Sequence, residues 1–220
     1  DQLGFVAVRP HDLKHLRGVE SAYALPYHGL TGEVNCATRW KVFPPITTPD
    51  GHTQKYYQAP GSAPALYLPP LIPWATVAKN PSSPLIVTEG EKKAAAMCQL
   101  GQSCAGVAGT YNWRQRLDNG ERLTIPTLDQ FIWQDRSIEL VPDSDVWRAD
   151  KQQALCGFFA LGQELISRGA SVTLVKLPER GAKVGLDDFL VSVGSDWEHQ
   201  WPHLERLPLD DARLAPVAAW

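Results

Sequence analysis

Short apolar runs alternate with longer amphipathic stretches through the second half of the chain, and this pattern predicts its fold. Leu85-Ile86-Val87 is an unbroken apolar run with β-branched residues, the mark of a strand buried in a parallel sheet. Gly90 ends it, and Glu91 to Leu100 is rich in helix formers. Cys104 to Ala108 reads as a second strand, closed by Gly109. The segment 110–136 is less regular, with a helix predicted near Thr127 to Trp133. Ser137 to Val141 is the next strand; it ends in Pro142-Asp143-Ser144-Asp145 and leads to a long helix, about Arg148 to Arg168, with Gly169 as its C-cap. Ser171 to Leu177 is a further strand, and a loop with Gly181 and Gly185 precedes a helix entered by Asp187-Asp188-Phe189-Leu190. The βαβ alternation predicts an α/β fold, a mainly parallel sheet flanked by helices.

Residues 1–80 have a different pattern. Prolines punctuate them and exclude long helices. Thr38 to Phe43 and Gln54 to Gln58 read as strands around the turn Thr48-Pro49-Asp50-Gly51, a β-hairpin signal. The chain therefore divides into a small β-rich N-terminal subdomain (1–80), an α/β domain (84–195) and a C-terminal tail (196–220) that packs back on the domain or leads into a neighbour.

Composition narrows the partners. The formal net charge of −3 gives no global attraction to nucleic acid, so such contact requires a local patch. On the hairpin, Arg39, Lys41, Lys55, Tyr56 and Tyr57 offer one, since basic and aromatic side chains grip phosphates and stack on bases. The plainer reading is a solvated face with snorkelling lysines. Cys36, Cys98, Cys104 and Cys156 lack the spacing of a zinc site or a disulfide framework and read as reduced, mostly buried thiols of a cytoplasmic protein. No apolar run approaches the roughly 20 residues of a membrane span. A start at Asp1 without a signal-peptide pattern reads as a fragment of a longer protein.

The candidate chemistry lies at two strand ends, where open α/β sheets bind ligands. One presents Glu89, the other Asp143 and Asp145. Two ionised carboxylates about 4 Å apart repel by about 4 kcal/mol at an effective dielectric of about 20. Such a group needs protonation, a basic partner or a cation, and oxygen ligands select Mg²⁺ or Mn²⁺. Glu89 is a third ligand or a general acid/base. The alternatives are ordinary: an Asp-x-Asp often caps a helix, and Glu89 suits a helix N-terminus. Lys92 and Lys93 occupy a first helical turn, where the dipole disfavours them, which fits either simple exposure or a nearby phosphate. Asp187 and Asp188 form a second acidic pair, most simply an N-cap and a first-turn residue.

Together, Glu89-Gly90 and Asp143-Ser144-Asp145 resemble the pattern of the Toprim domain, shared by bacterial replicative primases, topoisomerases and several nucleases. Gly106-Val107-Ala108-Gly109-Thr110, and Leu177-Pro178 followed by Lys183 and Leu186-Asp187-Asp188-Phe189-Leu190, resemble segments of its primase branch. Glu89-Gly90-Glu91-Lys92-Lys93-Ala94 and Lys55-Tyr56 are similar to a Toprim-like domain found in phage, plasmid and mobile-element primase-helicases. Lys93 stands where the primase pattern has Asp, and Trp147 stands where some nucleases have a further acid. The resemblance implies the catalytic core of a mobile-element DNA primase, making RNA primers on single-stranded DNA from nucleoside triphosphates, beside a helicase domain or subunit. It would hold Mg²⁺ (or Mn²⁺) on Glu89, Asp143 and Asp145, with Arg39, Lys55, Tyr56, Lys92, Lys93 and Lys183 binding nucleic acid or nucleotide. A non-catalytic DNA-binding or loading module and a metal-dependent nuclease are the alternatives. A lysine ammonium seated permanently among the three acids would end the polymerase reading and leave only a Toprim-shaped scaffold.

Overall fold

The structure, a computed structural model, describes residues 2–117, 119–179 and 181–218, and the backbone alone within 35–37. The Cys36 side chain and Trp220 thus lie outside the described residues. An antiparallel sheet, ordered β1-β2-β3-β4, comprises β1 (Val6–Ala7), β2 (Ser21–His28), β3 (Val34–Thr47) and β4 (Thr53–Gln58). The turn at Thr48–Gly51 joins β3 to β4, with Gly51 at φ +80°, a conformation glycine adopts without strain. Pro44 and Pro45 sit inside β3, where its ladder with β4 is interrupted between Lys41 and Ile46, as residues without an N–H donor require. The expected hairpin is present, with a longer first strand.

After a short helix α1 (Trp74–Lys79), the α/β unit contains β5 (Leu85–Glu89), α2 (Glu91–Gln99), β6 (Cys104–Val107), the ribbon β7 (Arg114–Arg116) and β8 (Arg122–Thr124), β9 (Ser137–Val141), α3 (Gln152–Ser167), β10 (Ser171–Lys176) and α4 (Leu186–Val193). Short α5 (Trp197–Gln200), β11 (Glu205–Pro208) and α6 (Ala215–Ala218) follow. The main sheet runs β11-β10-β9-β5-β6, parallel except for the edge strand β11. This is the anticipated fold class.

Local differences have local causes. The helix predicted near 127–133 is one 3₁₀ turn, Pro126–Gln130, and Phe131 and Trp133 beyond it stack at 5.3 Å between ring centroids inside the core. α3 begins at Gln152, because a 3₁₀ turn, Ala149–Lys151, occupies the start of the expected helix. Gly169, at φ +93°, closes α3 as expected: Ala170 N donates to Leu165 O at 3.0 Å and Gly169 N to Ile166 O at 2.8 Å.

The segment after 195 supplies the sheet's edge. Arg206 of β11 pairs with Glu139 of β9 at 2.6 Å, and Trp201 Nε1 donates to the same carboxylate at 3.0 Å. At the opposite edge Tyr67 forms an isolated antiparallel bridge with Gly106. Leu66, Tyr67, Leu68, Trp74 and Val77 share the core of the α/β unit. Cys98, Cys104 and Cys156 are buried free thiols, and no described helix is long and apolar enough to cross a membrane.

Arg136 organises the entry to β9. It is fully buried, donating from Nε to Ile132 O, from Nη1 to Ser83 O and from Nη2 to Val77 O, each at 2.8 Å, and to Ala78 O at 3.1 Å. Two of these acceptors end α1, where a cation also suits the helix dipole. Arg136→Met keeps the aliphatic stem but removes four hydrogen bonds to backbone carbonyls, two of them in the buried interior. It is expected to cost about 3 kcal/mol or more, read as a lower denaturant midpoint at unchanged slope.

Candidate functional site

β5 and β9 are neighbours, and their carboxyl ends lie side by side: Thr88 is registered with Val141, and Thr88 Oγ1 donates to Val141 O at 2.9 Å. Glu89 therefore leaves β5 beside Asp143, which follows β9. Gly90, at φ +102°, turns the chain into α2, so Lys93 sits in its first turn above Asp143. Asp143 is 2% exposed, and its Oδ1 accepts from Lys93 Nζ. Lys183 Nζ lies 2.5 Å from its other oxygen, Oδ2, in an ion contact without hydrogen-bond alignment, and 4.0 Å from Asp145 Oδ1.

Ser144, between the two aspartates, holds the loop that carries Lys183. Its backbone N donates to Val184 O and its Oγ accepts from Val184 N, both at 2.9 Å. Gly185 completes the fit, since a Cβ there would lie 2.7 Å from Lys93 Cε and 3.3 Å from Asp143 Oδ1. Asp188 Oδ2 accepts from Gly185 N at 2.9 Å, a helix-cap role, while Asp187 faces the site.

The N-terminal sheet forms the other wall. Arg39 of β3 reaches Glu91, the first residue of α2, at 2.6 Å, and also donates to Ala108 O at 3.0 Å. Tyr27 OH donates to the same Glu91 oxygen at 2.7 Å. Glu91 is 1% exposed. Burial works against the Arg39 cation, yet attraction to Glu91 leaves its pKa raised. The guanidinium also lies 4.8 Å from the Tyr56 ring centroid, and Lys41 Nζ 4.5 Å from it. Burial, then the charge of Glu91, pushes Tyr56 up to about 12. Arg39 and Tyr56, which the sequence offered as nucleic-acid ligands, thus have partners within the protein, because the sheet must be fastened to α2.

Between the walls is a cavity of about 460 Å³. Glu89, Asp143, Asp187, Arg39, Lys55, Tyr56, Lys92, Lys93 and Lys183 all line it, which brings nearly every predicted site residue to one place. Asp145 and Asp188 do not line it. Lys55 and Lys92 are exposed, and neither makes an ion pair among the described residues. Sequence reasoning missed Glu91, Tyr27, Ser144 and Gly185. Of these only Gly185 left a signal, as a glycine in the loop before α4.

Charge governs the site. Burial, opposed by Lys93 and reinforced by Asp143, raises the Glu89 pKa above its ordinary 4.5. Burial also works against the Lys183 cation, but attraction to Asp143, Asp145 and Glu89 outweighs it and raises the Lys183 pKa. Among the described residues no three His, Cys, Asp or Glu side chains are placed to hold a metal together, so Glu89, Asp143 and Asp145 do not form a closed cage. Lysines stand among the acids, the arrangement that counts against a preassembled polymerase centre. The oxygen-only donor set still fits one Mg²⁺ held by one or two carboxylates with water and phosphate oxygens. Lys183, 57% exposed on its loop, is the cation such an ion would displace, whereas Lys93 is 17% exposed.

The mainly parallel sheet flanked by helices, with an antiparallel N-terminal sheet, matches the fold of bacterial primase cores. The chain is similar in fold to the Aquifex aeolicus primase zinc-binding and RNA polymerase domains (TM-score 0.55, 17% identity, 91% of this chain and 44% of that one). It is also similar to the RNA polymerase domain of Mycobacterium tuberculosis primase DnaG (TM-score 0.57, 16% identity, 89% and 59%) and to a DnaG primase catalytic domain bound to single-stranded DNA (TM-score 0.53, 17% identity, 89% and 56%). Residues 73–197 match the family described as a domain of unknown function, DUF3854, and the chain belongs to that family. An uncharacterized protein of Picosynechococcus sp. is 32% identical over 133 residues, 57% of this chain, which spans 13% of that relative's length.

Two measurements probe this geometry. Arg39→Met leaves Glu91 buried without its cation and is expected to cost about 3–5 kcal/mol, while the double change Arg39→Met/Glu91→Gln costs less than the two single changes added together. Because Glu89 titrates higher folded than unfolded, its stabilising contribution is complete below about pH 4.5 and is lost as pH rises through the raised value. With chelator present, Glu89→Gln is therefore expected to raise the melting temperature near neutral pH and to leave it unchanged below the ordinary carboxylate range.

Proposed function

We propose that the chain is the core of a primase-type nucleotidyl transferase, of the kind carried by phage, plasmid or mobile-element primase-helicases. The observation that carries this reading is the convergence of Glu89 and Asp143, from adjacent strand ends, in one cavity with Lys55, Lys92, Lys93 and Lys183. Lys55 and Lys92 hold the phosphates of a single-stranded DNA template or a nucleoside triphosphate. Glu89, its pKa raised, accepts the proton of the attacking 3′-hydroxyl, whose oxygen bonds to the α-phosphorus as pyrophosphate departs with the bonding electron pair. Lys183, released from Asp143, steadies the phosphate chain, and Lys93 keeps Asp143 in place. A Mg²⁺ or Mn²⁺ ion held by Asp143 and Asp145, with Glu89 nearby, would supply neutralisation of the triphosphate and leaving group. A helicase domain or subunit is the proposed neighbour.

The Lys93–Asp143 pair favours a second reading, a DNA-binding or loading module without catalysis. Incorporation of labelled ribonucleotides on single-stranded DNA with Mg²⁺ or Mn²⁺ separates the two. Asp143→Ala is expected to lower synthesis at least about 100-fold while leaving DNA binding unchanged or tighter, since it removes negative charge. Wild-type protein that binds DNA with a salt-dependent affinity but makes no primer would establish the second reading. Shortening of the supplied DNA would point instead to the nuclease alternative.

A further inference from the structure

A cavity of about 1000 Å³ lies away from the acidic site, between the β7–β8 ribbon, one face of α3, and α6. Its ribbon wall carries Arg114, Arg116 and Arg122. Arg114 and Arg116 alternate by two along β7 and share a face, and Arg122 is registered directly opposite Arg116. Like charges directly opposed across a ladder are destabilising. None of the three makes an ion pair or side-chain hydrogen bond among the described residues. Glu164, the one acid lining the cavity, is paired with Arg168 at 2.7 Å.

Arg114 is held by rings rather than by an acid. Its guanidinium lies 4.9 Å from the Trp113 ring centroid and 5.2 Å from that of Tyr111, which leaves its N–H donors free. Burial and the neighbouring Arg122 charge both lower its pKa. Trp113, also lining the cavity, has a buried Nε1–H with no acceptor. The groove thus concentrates donors and positive charge that no acid among the described residues answers.

We infer that this groove is a second binding site for single-stranded nucleic acid, taking a stretch of strand beyond the candidate active site. This rests on the primase-type reading. Continuity along the chain favours it: Ala108 lines the acidic cavity and Tyr111, three residues on, lines the groove. The ribbon spaces Arg114 and Arg116 about 7 Å apart along the strand, which suits an extended polymer of phosphates better than one compact anion.

The test is binding of oligodeoxythymidylates of about 6 and about 20 nucleotides to the intact chain, by fluorescence anisotropy at several salt concentrations. Wild-type protein is expected to bind the longer strand at least about 10-fold tighter, with a steeper salt dependence. Arg114→Ala/Arg116→Ala/Arg122→Ala is expected to abolish that advantage and to lower the slope by about 2, three contacts at about 0.7 each, while affinity for the short strand changes little. Arg116→Gln/Arg122→Gln, at two exposed positions, is expected to act in the same direction with an unchanged or higher melting temperature, since opposed charges are removed. A variant that keeps the length advantage and the slope overturns the inference alone. So does wild-type protein that binds both lengths equally. Failure to bind either strand overturns the primase-type reading as well.

Discussion

The pairing of Arg39 with Glu91 makes two sheets into one functional body. It joins the antiparallel sheet to the first residue of α2, and it does so at the rim where β5 ends. A buried carboxylate with only Tyr27 for company would be expensive to ionise; with Arg39 it is matched, and Arg39 in turn reaches the carbonyl of Ala108. Without that connection the basic hairpin loses the ion pair that sets it over the acids, leaving Tyr27 and its core packing to tie its sheet to α2. The cavity owes its second wall to this contact.

Beneath that roof, charge is nearly balanced within the protein. Asp143 sits between Lys93 and Lys183, and Ser144 and Gly185 keep the loop close enough for both to reach it. The two lysines differ in standing. Lys93 is anchored on α2, whereas Lys183 belongs to a loop and is far more exposed. Under the primase-type proposal, a substrate-borne cation would displace the exposed Lys183 ammonium from that carboxylate while Lys93 stays in place.

The strands β5, β6, β9 and β10 were legible because a strand buried on both faces must be apolar almost throughout, and their ends were legible because acids are out of place there. β11 was not, since Glu205-Arg206-Leu207-Pro208 has one buried side chain and is placed by the pairing of Arg206 with Glu139 across the fold. The purpose of Arg39 was hidden for a similar reason: its partner lies 52 residues away, and only folding distinguishes a cation kept for a ligand from one that fastens two elements. Nothing in the sequence marks Arg136, because its acceptors are backbone carbonyls, which leave no trace in residue identity. Local pattern reports period and polarity. It cannot report which distant group satisfies a given charge.

The main sheet is finished at both margins by brief elements rather than by full strands. On one flank β11 is four residues long, runs against its neighbour and ends in Pro208; on the other, Tyr67 covers Gly106 with a single rung. Short, proline-terminated margins give an incoming chain few free rungs to copy. Copies of the chain crowded together therefore offer one another little strand edge along which their sheets would fuse.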